Sequence, residues 1–313
     1  MLGTGLIAFP AIGGKTGILI PDHYMRLDTH IHILSGGKKL DELERYLMLE
    51  GITHAVMLFR TNDLEFLPRV QKMNACIIPF HRPANPLEPF VDPDPESPIM
   101  GYKIHLRHPV VINKAGQPVA ADDEGLYPMC SAAEKVGRPF LFHTDADDPK
   151  LCSIPRLANL AGRFTLTNFI ASHWPFYSQE YQADAIKQEE FEYKAPAVLK
   201  ESIDILMDVK NLYGDIALLG RDFPERTNDP DFKLKLLKTE VEKMSRVKKR
   251  AILNKLFIGT DFPGFYKKQD EPRIGYHFQK ECMTLVFGKD FNETKMTRNF
   301  LDLLPLNHKG KAR

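Results

Sequence analysis

Residues able to do chemistry gather at the ends of short apolar runs in this chain. Near its start, Asp28-Thr29-His30-Ile31-His32 sets two imidazoles two positions apart. Residues so spaced on a strand share a face, so His30 and His32 would point at one spot, which is half of a metal site. With 11 histidines in 313 residues, chance supplies roughly 0.4 such pairs, so the motif alone carries little weight. Its weight comes from three later runs, which end in Phe142-His143-Thr144-Asp145, Ala171-Ser172-His173-Trp174 and Ile258-Gly259-Thr260-Asp261. His30, His32, His143 and Asp261 would offer three nitrogens and one oxygen to one divalent ion, zinc first, with manganese or iron as alternatives. An ion so held lowers the pKa of water from about 15.7 towards 7 and polarises a carbonyl. The proton then needs an acceptor, and Asp261 or His173 has the right chemistry. Asp28 reads as structural or as an orienting group behind a ligand, and Asp145 as a turn residue past its strand.

Those side chains must be carried by elements that converge. Eight apolar runs qualify as strands: 26–33, 53–59, 75–81, 101–106, 139–144, 165–173, 211–219 and 256–261. Their near-continuous apolar character is what strands covered on both faces require. Between them lie amphipathic stretches, predicted as helices over 39–50, 122–136 and 232–253, a pair within 177–210 split near Pro196, and a last one over 294–304. The Pro-rich segment 82–98 cannot be a regular helix or central strand, and reads as a long loop after the third strand. Alternating strand and helix over about 290 residues predicts an α/β fold, a (β/α)8 TIM barrel, as a single domain spanning 1–313 with its core over 26–304. In that fold the strand C-termini form the active site. A doubly wound nucleotide-binding sheet would need a Gly-rich turn after the first strand, which DTHIHILSGG does not provide.

Composition narrows the function classes. A formal net charge of +1 gives no basic field for nucleic acid. Cys76, Cys130, Cys152 and Cys282 lack CxxC spacing, which predicts free thiols in a reducing compartment, the cytoplasm. The N-terminal region has no basic segment ahead of its apolar stretches, and no run is long enough for a membrane span. A homodimer is the default expectation for a soluble enzyme. Lys103, His105 and Arg107, with Arg60, His81 and Arg82, fall at or beyond predicted strand ends; they would draw in a small anionic substrate, or be ordinary solvated loop charge. Trp174, Phe176, Phe262 and Phe265 would wall a binding site or pack loops.

With DTHIH, GYKIH, FHTD, ASHW and IGTDFP at strands one, four, five, six and eight, the chain resembles the amidohydrolase superfamily. The match is to its amidohydrolase-2 branch, which includes aminocarboxymuconate-semialdehyde decarboxylase and several lactone and ester hydrolases. The resemblance implies a metal on His30, His32, His143 and Asp261, with His173 as proton shuttle or substrate polariser. It also implies that Lys103, if carboxylated, could bridge a second metal; a single metal with a plain Lys103 binding a substrate carboxylate is favoured. The expected activity is hydrolysis of an ester, lactone or amide. The alternatives are decarboxylation of an unsaturated or aromatic acid at the same site, and a catalytically silent barrel.

Overall fold

The computed structural model describes residues 6–7, 20–21, 24–33, 40–88, 97–107, 110–144, 151–175, 185–217, 231–263 and 275–305, with backbone alone over 6–7, 20–21 and 185–192. The predicted positions Asp145, Phe176 and Phe265 lie outside these residues.

Eight parallel strands follow one another around a sheet in sequence order. They are β1 (Leu27–His32), β2 (His54–Arg60), β3 (Cys76–Arg82), β4 (Gly101–Ile104), β5 (Phe140–His143), β6 (Phe169–Ser172), β7 (Leu212–Asp215) and β8 (Leu256–Phe257). The first and last strands then meet. Thr29 N–H donates to the Ile258 carbonyl at 2.9 Å and His32 N–H to the Phe262 carbonyl at 2.6 Å, and Ile31 forms a parallel bridge with Phe262. The sheet is thereby closed into a (β/α)8 barrel. A register shift between Asp28 and Ile31 accompanies the closure. A short antiparallel pair, Leu6–Ile7 with Ile20–Pro21, stands apart from it.

Inside a barrel, residues two apart on each strand share the interior. The lower interior is aromatic: Phe300, from the last helix, meets the rings of Phe80 on β3 and Phe257 on β8 at 6.5 and 5.2 Å, and Tyr213 of β7 stacks on Phe257. Gly101 of β4 leaves room for Phe80, whose ring atoms would lie 2.5–2.7 Å from an added Cβ. One step higher the interior turns polar, with Lys103, Asp215 and His30 all fully enclosed.

The helices are α1 (Leu40–Leu49), a single turn α2 (Leu67–Val70), α3 (Tyr127–Lys135), α4 (Ile154–Arg163), α5 (Ala185–Asp208), α6 (Phe232–Glu242), α7 (Arg246–Leu253), α8 (Tyr276–Phe287) and α9 (Glu293–Leu301). Three differ from the sequence expectation. The helix expected over 232–253 is two, because the Ser245 hydroxyl caps a new start by accepting from Lys248 N–H. The pair expected around Pro196 is one helix with the proline inside it. A proline costs a helix one backbone bond; the helix continues through it, with Ala195, Leu199, Ile203 and Leu206 buried along one face from beside the proline onward. Three helices, α2, α4 and α8, have no sequence expectation to match, although Ser153 with Pro155 just inside the start of α4 is an N-terminal signal. No helix among the described residues is long and apolar enough to cross a membrane.

Candidate metal centre at the strand ends

The site begins with β1. His30 and His32 point inward, as the two-residue spacing predicts, and their Nε2 atoms lie 3.2 Å apart. From beyond the end of β8, Asp261 brings one carboxylate oxygen to both, 3.3 Å from His30 Nε2 and 3.0 Å from His32 Nε2. A ring nitrogen of His173, beyond β6, joins His30 and Asp261 in a group whose donor atoms all lie within 4.8 Å of one another. His143 stands one ring further along, edge-on to His173 at 5.1 Å and stacked on His105 at 3.9 Å between centroids. The five imidazoles thus form a continuous array from β4 to β1. Of the ligand set expected from the sequence, His30, His32 and Asp261 are brought together directly; His143 stands beside His173, and it is His173 that groups with His30 and Asp261.

Two of these side chains sit on strained backbone. His173 has φ 61° and Asp261 φ 58°, a region that costs residues bearing a Cβ free energy and persists where the surroundings enforce it. For His173 the cause is visible. Ser172 faces the interior, where its hydroxyl accepts from Lys103 Nζ at 2.7 Å, so regular alternation would send the next side chain outward. The turn at His173 brings two consecutive residues inward. The same pattern of a small hydroxyl residue, a donor residue, an aromatic and a proline recurs in Thr260-Asp261-Phe262-Pro263.

Asp28 ties this second turn to β1. Its carboxyl accepts from Thr260 N–H (3.1 Å), the Thr260 hydroxyl (2.6 Å), the Tyr46 hydroxyl (2.9 Å) and His30 N–H (3.0 Å). Asp28 thus ties the backbone at His30 to that at Thr260. Burial raises its carboxyl to about 7 against the pull of those donors.

The electrostatics keep His30, His143 and His173 neutral. Burial first, then the Lys103 charge, holds His30 well below the ordinary histidine range, and burial with His105 does the same to His143. Burial takes His173 down to about 3. Asp261 goes the other way: burial opposes ionisation, but His30, His32 and His173 around it hold the carboxyl far below its usual range. Burial lowers Lys103 to about 7. Arg82, half-buried at the end of β3, acts on both His30 and Lys103, and burial and the neighbouring Arg60 lower its own pKa. Arg107 N–H donates to His105 Nδ1 at 3.4 Å. Of the expected cationic groups, Lys103 and Arg82 act on His30 directly, and His105 stacks on His143. Trp174 and Phe262 are packing residues: both are buried, Trp174 against Gly214 and Phe262 stacked on Tyr46 at 4.2 Å.

Asp215, at the end of β7, has no counterpart among the expected site residues. It is fully buried and lies 3.1 Å from His30 Nδ1. The only sequence signal was one acid closing an otherwise apolar strand.

The donor set fits a divalent transition metal. Two ligands of a tetrahedral zinc, each about 2.0–2.1 Å from the ion, stand roughly 3.3 Å apart, and the three donor separations here are 3.0, 3.2 and 3.3 Å.

Solved structures share this architecture. A probable 2-pyrone-4,6-dicarboxylic acid hydrolase from Acinetobacter baumannii, with citric acid bound, is 15% identical at a TM-score of 0.56, with 89% of this chain and 98% of that one covered. The chain shares the (β/α)8-barrel fold of this structure. An amidohydrolase from Burkholderia multivorans with bound HEPES is 11% identical, TM-score 0.53, over 88% of this chain and 99% of its own. 2,6-Dihydroxybenzoate decarboxylase complexed with 2,6-dihydroxybenzoate is 14% identical, TM-score 0.50, over 89% and 98%. No protein-family model and no curated protein matches the chain.

Proposed function

We propose that the chain is a metal-dependent hydrolase of the amidohydrolase superfamily, acting on an ester, lactone or amide carbonyl of a small anionic substrate. The observation that carries this reading is the convergence of His30 Nε2, His32 Nε2 and an Asp261 oxygen at tetrahedral ligand spacing, at the barrel end where this fold places its chemistry. These three, with His173 or His143, would hold one divalent ion, zinc by ligand type. Such an ion supplies Lewis acidity towards a carbonyl and activation of water.

The chain's own residues account for the remaining tasks. Asp261, held ionised beside the donors, takes a proton from the attacking water. With His143 completing the ligand set, His173, neutral and adjacent, hydrogen-bonds the substrate carbonyl or passes the proton to the leaving group. Lys103 and Arg82 attract and orient a carboxylate. Enclosure of His30 and Lys103 in the barrel strengthens each of these electrostatic contacts.

Decarboxylation of an unsaturated or aromatic acid is the second reading. It uses the same residues, with His173 delivering a proton to carbon, and a decarboxylase shares the fold. Metal analysis of protein purified without chelator, then turnover on lactones and aryl carboxylates including 2-pyrone-4,6-dicarboxylate, tests both. About one transition metal per chain and ring opening with uptake of water are expected. Release of CO2 without water uptake would replace the hydrolase by the decarboxylase, and failure to bind any transition metal would remove both. Two metals per chain with a modified Lys103 amine would overturn the single-metal arrangement.

A further inference from the structure

We propose that Asp215 is a positioning residue that fixes the tautomer of His30, and that Gly259 is glycine so that Asp215 can reach it. The role assigned to His30 rests on the metal-site reading.

Asp215 belongs to β7 and His30 to β1, so the carboxylate must pass the last strand to arrive. It passes over Gly259. A Cβ there would stand 2.6 Å from both carboxylate oxygens and 2.8 Å from Cγ, closer than such atoms approach. The glycine has an ordinary φ, so backbone freedom is not what requires it; the space is.

Each carboxylate oxygen has a task. Oδ1 accepts from Ala217 N–H at 2.6 Å, a backbone donor that cannot be reoriented. Oδ2 takes the Thr29 hydroxyl at 3.2 Å and His30 Nδ1 at 3.1 Å. An ionised carboxylate only accepts, so the hydrogen of the neutral imidazole must sit on Nδ1. That leaves the lone pair on Nε2, the atom facing His32 and Asp261. Without this anchor the ring could place its hydrogen on Nε2, which would block the nitrogen as a ligand. Carboxylates behind metal-binding histidines commonly act in this way.

Asp215→Asn is a sharp test because it is isosteric. The amide oxygen stays with Ala217 N–H, which puts the NH2 group opposite His30 Nδ1 and asks that nitrogen to accept. Nitrogen-15 NMR of the metal-free protein at pH 7 should show His30 protonated on Nδ1 in the wild type and moved towards Nε2–H in Asp215→Asn. Zinc affinity, measured by competition with a chelator, should fall about 10- to 100-fold in the variant. Gly259→Ala, which displaces the carboxylate and leaves its chemistry intact, should shift both readouts the same way. An unchanged tautomer in Asp215→Asn overturns the proposal, whatever the metal result. A changed tautomer with undiminished zinc affinity supports the positioning role and overturns ligation by His30. If the wild type binds no zinc, the metal reading fails and the tautomer alone decides the role of Asp215.

Discussion

The turn at His173 offers a test in which the usual order of two substitutions is reversed. His173 has φ 61°, where a residue with a Cβ pays roughly 1–2 kcal/mol relative to right-handed or extended backbone. Glycine escapes that cost but loses more chain entropy on folding, about 0.5–1 kcal/mol. The balance favours glycine, so His173→Gly should be more stable than His173→Ala by about 1 kcal/mol. Both variants remove the same imidazole, so lost ring contacts cancel. Ser172 is the internal control. It lies in β6, with no left-handed φ, and its hydroxyl contact to Lys103 is lost equally in Ala and Gly. There alanine should be the more stable by about 0.5–1 kcal/mol. The two differences have opposite signs and together open a gap of roughly 1.5–2 kcal/mol. Unfolding entropy near 2.1 cal/mol/K per residue over 313 residues translates 1 kcal/mol into only about 1.5 °C, so urea midpoints with m-values are the better assay. If His173→Ala equals or exceeds His173→Gly while the control behaves normally, the backbone there is not strained and the explanation for two consecutive inward side chains is wrong.

Three further outcomes are expected. Burial lowers His54 to about 4, below the unfolded value near 6.5, so the native state prefers the neutral ring; its contribution is whole above pH 6.5 and is lost as pH falls towards 4. The preference is worth about 3 kcal/mol, and His54→Asn, which keeps a polar atom near Thr53, should flatten the acid limb of a stability-against-pH curve by one proton; an unchanged slope refutes it. Asn211 donates from Nδ2 to the carbonyls of Ala161, Phe164 and Thr167 at 3.0, 2.9 and 2.6 Å, binding the end of α4 to β7, and Asn211→Leu should cost about 2–3 kcal/mol in urea unfolding; a loss under 1 kcal/mol would show that those carbonyls find other donors. Lys103→Met should lower kcat/KM about 10-fold or more on a carboxylate-bearing lactone and much less on its neutral ester; equal losses on both would remove Lys103 from anion recognition.

The barrel and the donor trio were legible for the same reason. A strand covered on both faces must be apolar throughout, so the polar residue ending such a run stands out, as His32, His143 and Asp261 do. Spacing of two then placed His30 with His32. What escaped was whatever depends on partners far along the chain or on broken alternation. Asp215 looks like a strand terminus until His30, 185 positions away, is seen beside it, and Gly259 means nothing until that carboxylate lies across it. Ser172 was invisible because alternation allows one inward residue where the turn at His173 supplies two. Helix boundaries failed locally: Ser245 is an ordinary polar residue until it caps, and Pro196 argues for a break where α5 runs on.

Closing the cylinder between β1 and β8 has a consequence for synthesis. The Thr29 hydroxyl meets its carbonyl partner 229 positions later, and Asp28 reaches Thr260 across 232. A ribosome must therefore release nearly the whole chain before the first strand finds its second neighbour, and until then that strand presents an open edge able to pair with another nascent copy. Any product truncated ahead of Thr260 keeps that edge and lacks Asp261, so aggregation and inactivity would arrive together.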